Sequence, residues 1–475
     1  MADPWEPLRA VLSARPPLLP LHLPAHGRGR GLAPGLVALL RRAPGRWDLP
    51  ELPAWGGPLE PEGAVAEAQA AAAAALGADR CWFGVNGASG LLQAALLALA
   101  PPGSSVLLPR NLHRSLLHAC VLGDLVPLLY DLPFDPRTGL WLPASAEHLA
   151  RVLAMAMALP VPPRAAVLVD PTYQGLAADL AALVALLHRA DLPVLVDQAH
   201  GDGVAVAAAA DLTVLSLQKN AGGLAQSAAL LLRGGRVDPA DLERTLLWLQ
   251  TSSPSALLLA SSAAALAEAR SEAGRRRRRR AEQCGLRLRR RLEAEGMAPL
   301  ANADPLRLVL PTAPLGFTGL AADAWLMERG VVAELPEPGS LTFCLGLRPS
   351  AALESRLPIL LLELRRSLGG EPLPPFTPPP LPLLAAPVLP IGRAWRASAE
   401  LVPLDRCTGR IAAEPVCPYP PGIPLLVPGE RIDVARSHWL LEQRRLWADA
   451  MPAQLRVLQN GADTVAPVPP SPPAP

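Results

Sequence analysis

The 475-residue chain predicts an α/β fold with a mainly parallel-sheet large domain, a smaller α+β domain and a C-terminal extension. Three observations carry that expectation. From residue 64 to 255, short apolar runs alternate with helix-like ones, the rhythm of right-handed βαβ crossovers. From 256 onward the alternation gives way to long helical stretches and a few strands. A proline-rich stretch, Glu371–Pro390, then sets off a third segment as a linker or an extended surface crossing.

In chain order, residues 1–63 read as an N-terminal arm. In the large domain (64–255), alanine-rich Ala64–Leu76 is helical by propensity, Leu91–Ala100 is an apolar helix, and Ser105–Leu108 is a strand. Arg114–Leu122 follows as a helix, Ala165–Val169 as a strand, Asp179–Arg189 as a helix, and Val194–Asp197 and Leu212–Ser216 as strands. In the small domain (256–370), Ala256–Glu295 is one long helix or a broken pair. Leu306–Leu310, Val331–Glu334 and Leu341–Leu345 are strands there, with helices around Ala321–Met327 and Leu353–Leu368. The linker spans 371–390, the C-terminal domain 391–455, and the proline-rich end, 456–475, reads as a disordered tail.

Composition narrows the function classes. The chain is half apolar, only 18% charged and formally +2, so no basic field points to nucleic acid. Its six cysteines lack metal-ligand spacing, which predicts neither a metal site nor a disulfide framework and suits a reducing cytoplasm. The start, with Asp3, Glu6 and prolines at 16, 17 and 20, is unlike a signal peptide, and proline or charge interrupts each apolar stretch before it could span a bilayer. A soluble protein is expected. The run Arg275–Arg280, with Glu272 and Glu282 nearby, reads as a solvated helix face.

Of the 44 basic residues only one, Lys219, is lysine. Biased base composition explains the scarcity, but arginine cannot form an imine with an aldehyde and a deprotonated lysine can, the reaction that anchors pyridoxal phosphate. The neighbours decide. The buried run Pro193–Val–Leu–Val–Asp–Gln–Ala–His–Gly201 delivers Asp197 and His200 at a strand's C-terminal end, where ligands sit in open α/β sheets. An aspartate there can pair with a protonated pyridine nitrogen. Upstream, Trp82–Phe–Gly–Val–Asn–Gly–Ala–Ser–Gly90 runs into a helix, offering backbone N–H groups to a phosphate, although a lone Asn-Gly is also an ordinary turn.

These residues, with others in fixed order, resemble the bacterial Orn/Lys/Arg decarboxylases, pyridoxal-phosphate enzymes of fold type I. The blocks are Pro24–Ala–His–Gly27, Asp48–Leu–Pro–Glu–Leu–Pro53 leading to Glu60–Pro–Glu–Gly–Ala64, Val85–Asn–Gly87, Pro109–Arg–Asn–Leu–His113 and Asp170–Pro–Thr–Tyr–Gln–Gly175. They continue with Val196–Asp–Gln–Ala–His–Gly201, Ser216–Leu–Gln–Lys219, Leu249–Gln–Thr–Ser–Ser–Pro–Ser255 and Tyr419–Pro–Pro–Gly–Ile–Pro–Leu–Leu–Val–Pro–Gly–Glu430.

The resemblance implies that Lys219 carries the cofactor, that Asp197 faces its ring nitrogen and that His113 stacks on the ring, the alternative for His113 being a capped surface histidine. It places His200 beside the cofactor, Ser89, the amide of Gly87 or Ala88, and Ser216 on the phosphate side, and Thr172 and Tyr173 at its border. Thr251 to Ser253 match a loop that reaches a neighbouring subunit in related dimers. A homodimer is therefore expected. The large rings of the longest members are not, since nothing before Pro24 has room for their receiver-like wing.

The chain departs from the family at Gln198, where Glu is usual, at Gln218, where His precedes the lysine, at Ala88 and Leu91 in the phosphate turn, and at Gly56–Gly–Pro–Leu59. The implied reaction is decarboxylation of arginine, lysine or ornithine, a step in polyamine biosynthesis. Lys219, His200 or a water held by them reprotonates the α-carbon. Glu60, Glu62 and Glu430 are candidates for the substrate's cationic end, and Arg348 for its α-carboxylate. The alternatives are another pyridoxal-phosphate reaction, aminotransferase or lyase, and a non-catalytic regulatory homologue.

Overall fold

A computed structural model of the chain describes residues 3–43, 45–201, 209–418, 422–446 and 451–459. Its centre is an eight-stranded sheet formed by β1 (Arg80–Gly84), β2 (Ser105–Pro109), β3 (Val126–Tyr130), β4 (Pro163–Val169), β5 (Val194–Asp197), β6 (Leu212–Ser216), β7 (Ala228–Leu232) and β11 (Leu384–Ala385). The spatial order is β11-β3-β2-β4-β5-β6-β7-β1. Strands β3, β2, β4, β5 and β6 pair in parallel, while β7 and β11 run against their neighbours.

Both faces of this sheet are covered, so its strands read as continuous apolar runs. Alternation then sorts each side chain to one face. In β5, Leu195 packs with Leu91, Leu116 and Leu230, while Val194 and Val196 join Leu107, Leu149 and Leu187 on the opposite side. Asp197 shares the parity of Leu195 and terminates the strand.

The small sheet is antiparallel: β8 (Arg307–Pro311) pairs with β10 (Ser340–Cys344), which pairs with β9 (Leu335–Pro336). Its core includes Leu308, Phe343, Leu288, Leu326 and Leu361, the last three from helices Glu272–Ala294, Gly319–Met327 and Leu353–Leu368. The expected 256–295 helix is a pair, broken at Ser271, whose extended backbone ends the first helix and whose hydroxyl accepts from Gly274 N to cap the second. No described helix is long and apolar enough to cross a membrane.

Two expected boundaries shift. The proline-rich stretch is the extended crossing rather than a free linker, since Leu384–Ala385 adds an antiparallel edge to Tyr130 and Leu129. The tail cannot begin at 456, because Gln454–Leu458 pairs with Ala399–Pro403 and buries Leu455 and Val457 against Trp439. Residues 460–475 and Tyr419–Pro421 lie outside the described residues.

The N-terminal segment is strapped across both sheets. Ala25 N donates to the Gln218 carbonyl (3.0 Å), Ala33 N to that of Gly222 (3.1 Å), and Cys344 N to that of Leu21 (2.8 Å). A Cβ at Gly222 would lie 2.5 Å from the Gly31 carbonyl oxygen and one at Gly346 2.3 Å from that of Ala25, so these approaches require glycine.

Candidate active site

The carboxyl ends of β1, β2, β4, β5 and β6 open on one edge of the sheet, and each delivers a predicted residue there. Asp197 ends β5, buried, its Oδ1 accepting from Ala199 N at 3.0 Å. Three residues beyond β6, Lys219 lies in the short helix Leu217–Asn220. Its Nζ is 2.9 Å from His200 Nε2. Burial lowers the Lys219 amine to about 8, aided by Arg307 and opposed by Asp197 and Glu334. Burial also holds His200 well below the usual histidine range, and the charges of Lys219, Arg307 and His113 add to this.

From the end of β4, Thr172 is buried and its hydroxyl accepts from Leu176 N (3.2 Å), which closes the loop that presents Tyr173. The Tyr173 ring lies 4.2 Å, centroid to centroid, from His200 with a 42° tilt. Beyond β2, His113 caps the helix Arg114–Leu122 by accepting from Ser115 N, so the cap part of the alternative reading is real. It is also accessible and felt electrostatically by both Asp197 and Lys219, so one histidine serves the helix start and the cleft.

The phosphate turn beyond β1 is Asn86 and Gly87, with Gly87 at φ +66°, opening the helix Gly87–Leu99. The Gly87 amide donates to the Gln226 carbonyl at 3.0 Å, so the free first-turn amides belong to Ala88 and Ser89 rather than Gly87. Ser216 is buried, and its hydroxyl makes no cap bond to the lysine helix. A buried carboxylate, a lysine amine and a helix N-terminus on one edge fit pyridoxal phosphate. An unpartnered acceptor also lines the site: Asn220 Oδ1 is buried with no hydrogen-bond partner among the described residues.

The predicted substrate residues fare differently. Glu430 is committed elsewhere, because its Oε1 is 2.6 Å from Arg110 Nη2 and its Oε2 accepts from Arg110 Nη1 (3.1 Å) and Val427 N (2.8 Å). Both partners are almost fully buried, which makes this an internal latch and removes Glu430 from the substrate candidates. Glu60 and Glu62 are exposed, and Glu60 lines a surface cleft with Arg80 and Glu243, away from Lys219. Arg348 is exposed too.

The charged groups that do meet Lys219 escaped the sequence analysis. Arg307, at the start of β8, is 3% exposed and donates to the Tyr173 carbonyl at 3.1 Å. Glu334 accepts from the Tyr173 hydroxyl and, at 2.6 Å, from Leu23 N. Arg278 lines the Lys219 cavity with Asp304, Arg307 and Cys344. Within the arginine run Arg276 pairs with Glu272, Arg277 with Glu268 and Arg278 with Glu282. The solvated-face reading therefore fails for Arg278.

Comparison with known proteins agrees with this geometry. Residues 46–313 match the Orn/Lys/Arg decarboxylase major domain and 385–452 the C-terminal domain of the same family. The arginine decarboxylase of Bacillus subtilis (strain 168) is 31% identical over 435 residues, 86% of this chain and 87% of that protein. That of Halalkalibacterium halodurans is 31% identical over 456 residues, 89% and 90% of the two chains. The constitutive lysine decarboxylase of E. coli superposes with a TM-score of 0.72 at 21% identity, covering 87% of this chain and 75% of that one, a likeness of fold.

Proposed function

The chain belongs to the Orn/Lys/Arg decarboxylase family, and from that premise we propose that it releases CO2 from L-arginine with pyridoxal phosphate anchored on Lys219. It is an enzyme that decarboxylates a basic amino acid. The observation that carries the reading is the placement of the only lysine: half-buried, at the carboxyl edge of the sheet, within the field of Asp197 and 2.9 Å from His200. Four arginine decarboxylases among the relatives favour arginine over lysine and ornithine.

The cofactor, when bound, supplies an aldehyde for an amine and a conjugated ring that takes up the electron pair left by the departing carboxylate. The residues of the chain then divide the remaining work. Asp197 offers a buried negative charge for the ring nitrogen, and the Ala88 and Ser89 amides, with the Ser89 and Ser216 hydroxyls, offer donors for the phosphate. His113 covers the accessible side. Lys219, at about 8, is a free amine in about a tenth of molecules at pH 7, against about one in three thousand at its ordinary value of 10.5. That amine can attack an aldehyde, its protonated form can return a proton to carbon, and His200 Nε2 is close enough to exchange a proton with it.

Substrate choice follows from charge. Arg307 and Arg278 line the cavity together with Asp304, and we assign the α-carboxylate to the two arginines. Among the described residues Glu334 is the carboxylate felt by Lys219 besides Asp197, and we assign it the distal guanidinium in place of Glu60, Glu62 and Glu430. We further propose a cytoplasmic homodimer in which the exposed loop Thr251–Ser253 meets the second copy, and a product used for polyamines.

The test is CO2 release from carboxyl-labelled L-arginine, L-lysine and L-ornithine by the cofactor-loaded protein, with Lys219→Ala as control. Release from arginine that disappears in the control is expected. Keto acid without CO2 would establish an aminotransferase instead, and no cofactor absorbance on loading would favour a non-catalytic homologue.

A further inference from the structure

Three side chains converge on the His200 ring. Lys219 Nζ is 2.9 Å from Nε2, Arg307 Nη1 is 3.4 Å from Nδ1, and Tyr173 packs on the face. Arg307 is buried and held from a second direction by the Tyr173 carbonyl, so its contact with Nδ1 belongs to a fixed side chain.

Proton counting then leaves one consistent arrangement. A guanidinium carries only donors and keeps its charge at any working pH, whereas a neutral imidazole has one N–H and one lone pair. Facing Arg307, Nδ1 must present the lone pair. The ring proton therefore sits on Nε2, aimed at Lys219. That N–H needs an acceptor, and Lys219 Nζ is one only as a free amine; an ammonium there would oppose donor to donor.

We propose that Arg307 is a positioning residue that holds His200 in its Nε2–H tautomer and thereby raises the share of Lys219 present as the free amine able to take the cofactor. The surrounding charges show why such a device is needed: among the described residues Asp197, Glu334 and Cys344 favour the ammonium, while burial and Arg307 oppose it. His113 and Cys344 also face this group of residues, and neither is hydrogen-bonded to Nδ1 among the described residues.

This inference rests on Lys219 being the anchoring amine, but its test does not need turnover. Because the chain has one lysine, acetylation of the Lys219 peptide by acetic anhydride, followed by mass spectrometry across pH, reads that amine alone. On the full-length chain freed of cofactor, Arg307→Met should lower Lys219 acetylation at pH 7 about tenfold, the effect of one pKa unit. Arg307→Lys, which restores a donor-only cation, should recover most of it.

Loss of a nearby positive charge would by itself move Lys219 in the same direction, so the measurement is repeated in a His200→Phe background. If Arg307 acts through His200, Arg307→Met lowers acetylation less there than in the wild type, only the direct effect of its charge remaining; an equal tenfold drop in both backgrounds overturns the proposal. Independently, ¹⁵N-histidine spectra, with His200 assigned by its loss in His200→Phe, should show the proton on Nε2 in the wild type. A proton on Nδ1 also overturns it, and this readout stands even if Arg307→Met does not fold. Protein with the expected tautomer and acetylation profile that releases no CO2 would sink the decarboxylase reading and leave this inference standing.

Discussion

Replacing Glu430 by alanine should unlatch the C-terminal segment rather than weaken substrate binding. The carboxylate lies between Arg110, at the end of β2, and Arg436, with contacts of 2.6 and 3.4 Å, and it also anchors the Val427 amide. Arg110 is 0% exposed and its Nε already lacks a partner, so it has no water to turn to when the carboxylate goes. An uncompensated buried charge of this kind costs about 3–5 kcal/mol. That is roughly two to three and a half powers of ten in the opening equilibrium. Amide hydrogen exchange reports it directly: Val427, Glu430 and Ala412, whose N–H groups are all bonded within this corner, should lose protection together. The paired change Arg110→Leu with Glu430→Leu removes both charges and should recover most of the loss. Unchanged protection in Glu430→Ala, with KM for arginine raised tenfold or more, would refute the latch and return Glu430 to the substrate pocket.

Three further outcomes follow from the site. Lys219→Arg should abolish both cofactor absorbance and CO2 release while leaving the far-ultraviolet circular dichroism intact, because the guanidinium keeps its charge and cannot attack an aldehyde. Glu334→Gln keeps a hydrogen-bond acceptor for Leu23 N and the Tyr173 hydroxyl but loses the charge; kcat/KM for arginine should fall about ten- to a hundredfold, as steady-state kinetics would show. Glu337 is buried and raised from 4.5 to about 7, chiefly by desolvation, with Gln174 and Ser340 donating to it. Between those two values the folded chain holds a proton that the unfolded chain has lost, so this contribution is fully present below about 4.5 and is lost as pH rises to about 7. Glu337→Gln should remove that slope and raise stability at neutral pH by up to about 3 kcal/mol, measured by urea titration at pH 5 and pH 7.5.

The large sheet and the lysine edge were legible because burial on both faces writes itself as unbroken apolar runs. Val194–Asp197 and Leu212–Ser216 fall where those runs predict, and the residues after them are the ones that reach the cleft. The small-domain half of the site was not legible, for two reasons. In a chain whose cations are almost all arginine, Arg307 and Arg278 have no compositional contrast; Arg278 was hidden inside a run that otherwise behaves as a helix surface. The signal that could have exposed Arg307 is positional: an arginine within the predicted strand Leu306–Leu310 is either edge-facing or buried with a purpose. Glu334 was concealed by strand periodicity. Val331–Glu334 reads as one strand, but the pairing stops at Val332 and resumes at Leu335, and Glu334 turns toward Leu23 and Tyr173.

The strap formed by the N-terminal segment ties these two halves into one chemical unit. Leu23 N holds Glu334 from the small domain, and two residues later Ala25 N holds the carbonyl of Gln218, the residue before Lys219. The spacing of the Glu334 carboxylate and the Lys219 amine is therefore set by a dipeptide of backbone as well as by the packing of two sheets. Charge selection needs such a ruler: a basic amino acid is distinguished from a neutral one only if the site for its distal cation stays at a fixed reach from the amine that receives it. The glycines at 222 and 346, which let the strap lie against both sheets, serve that spacing.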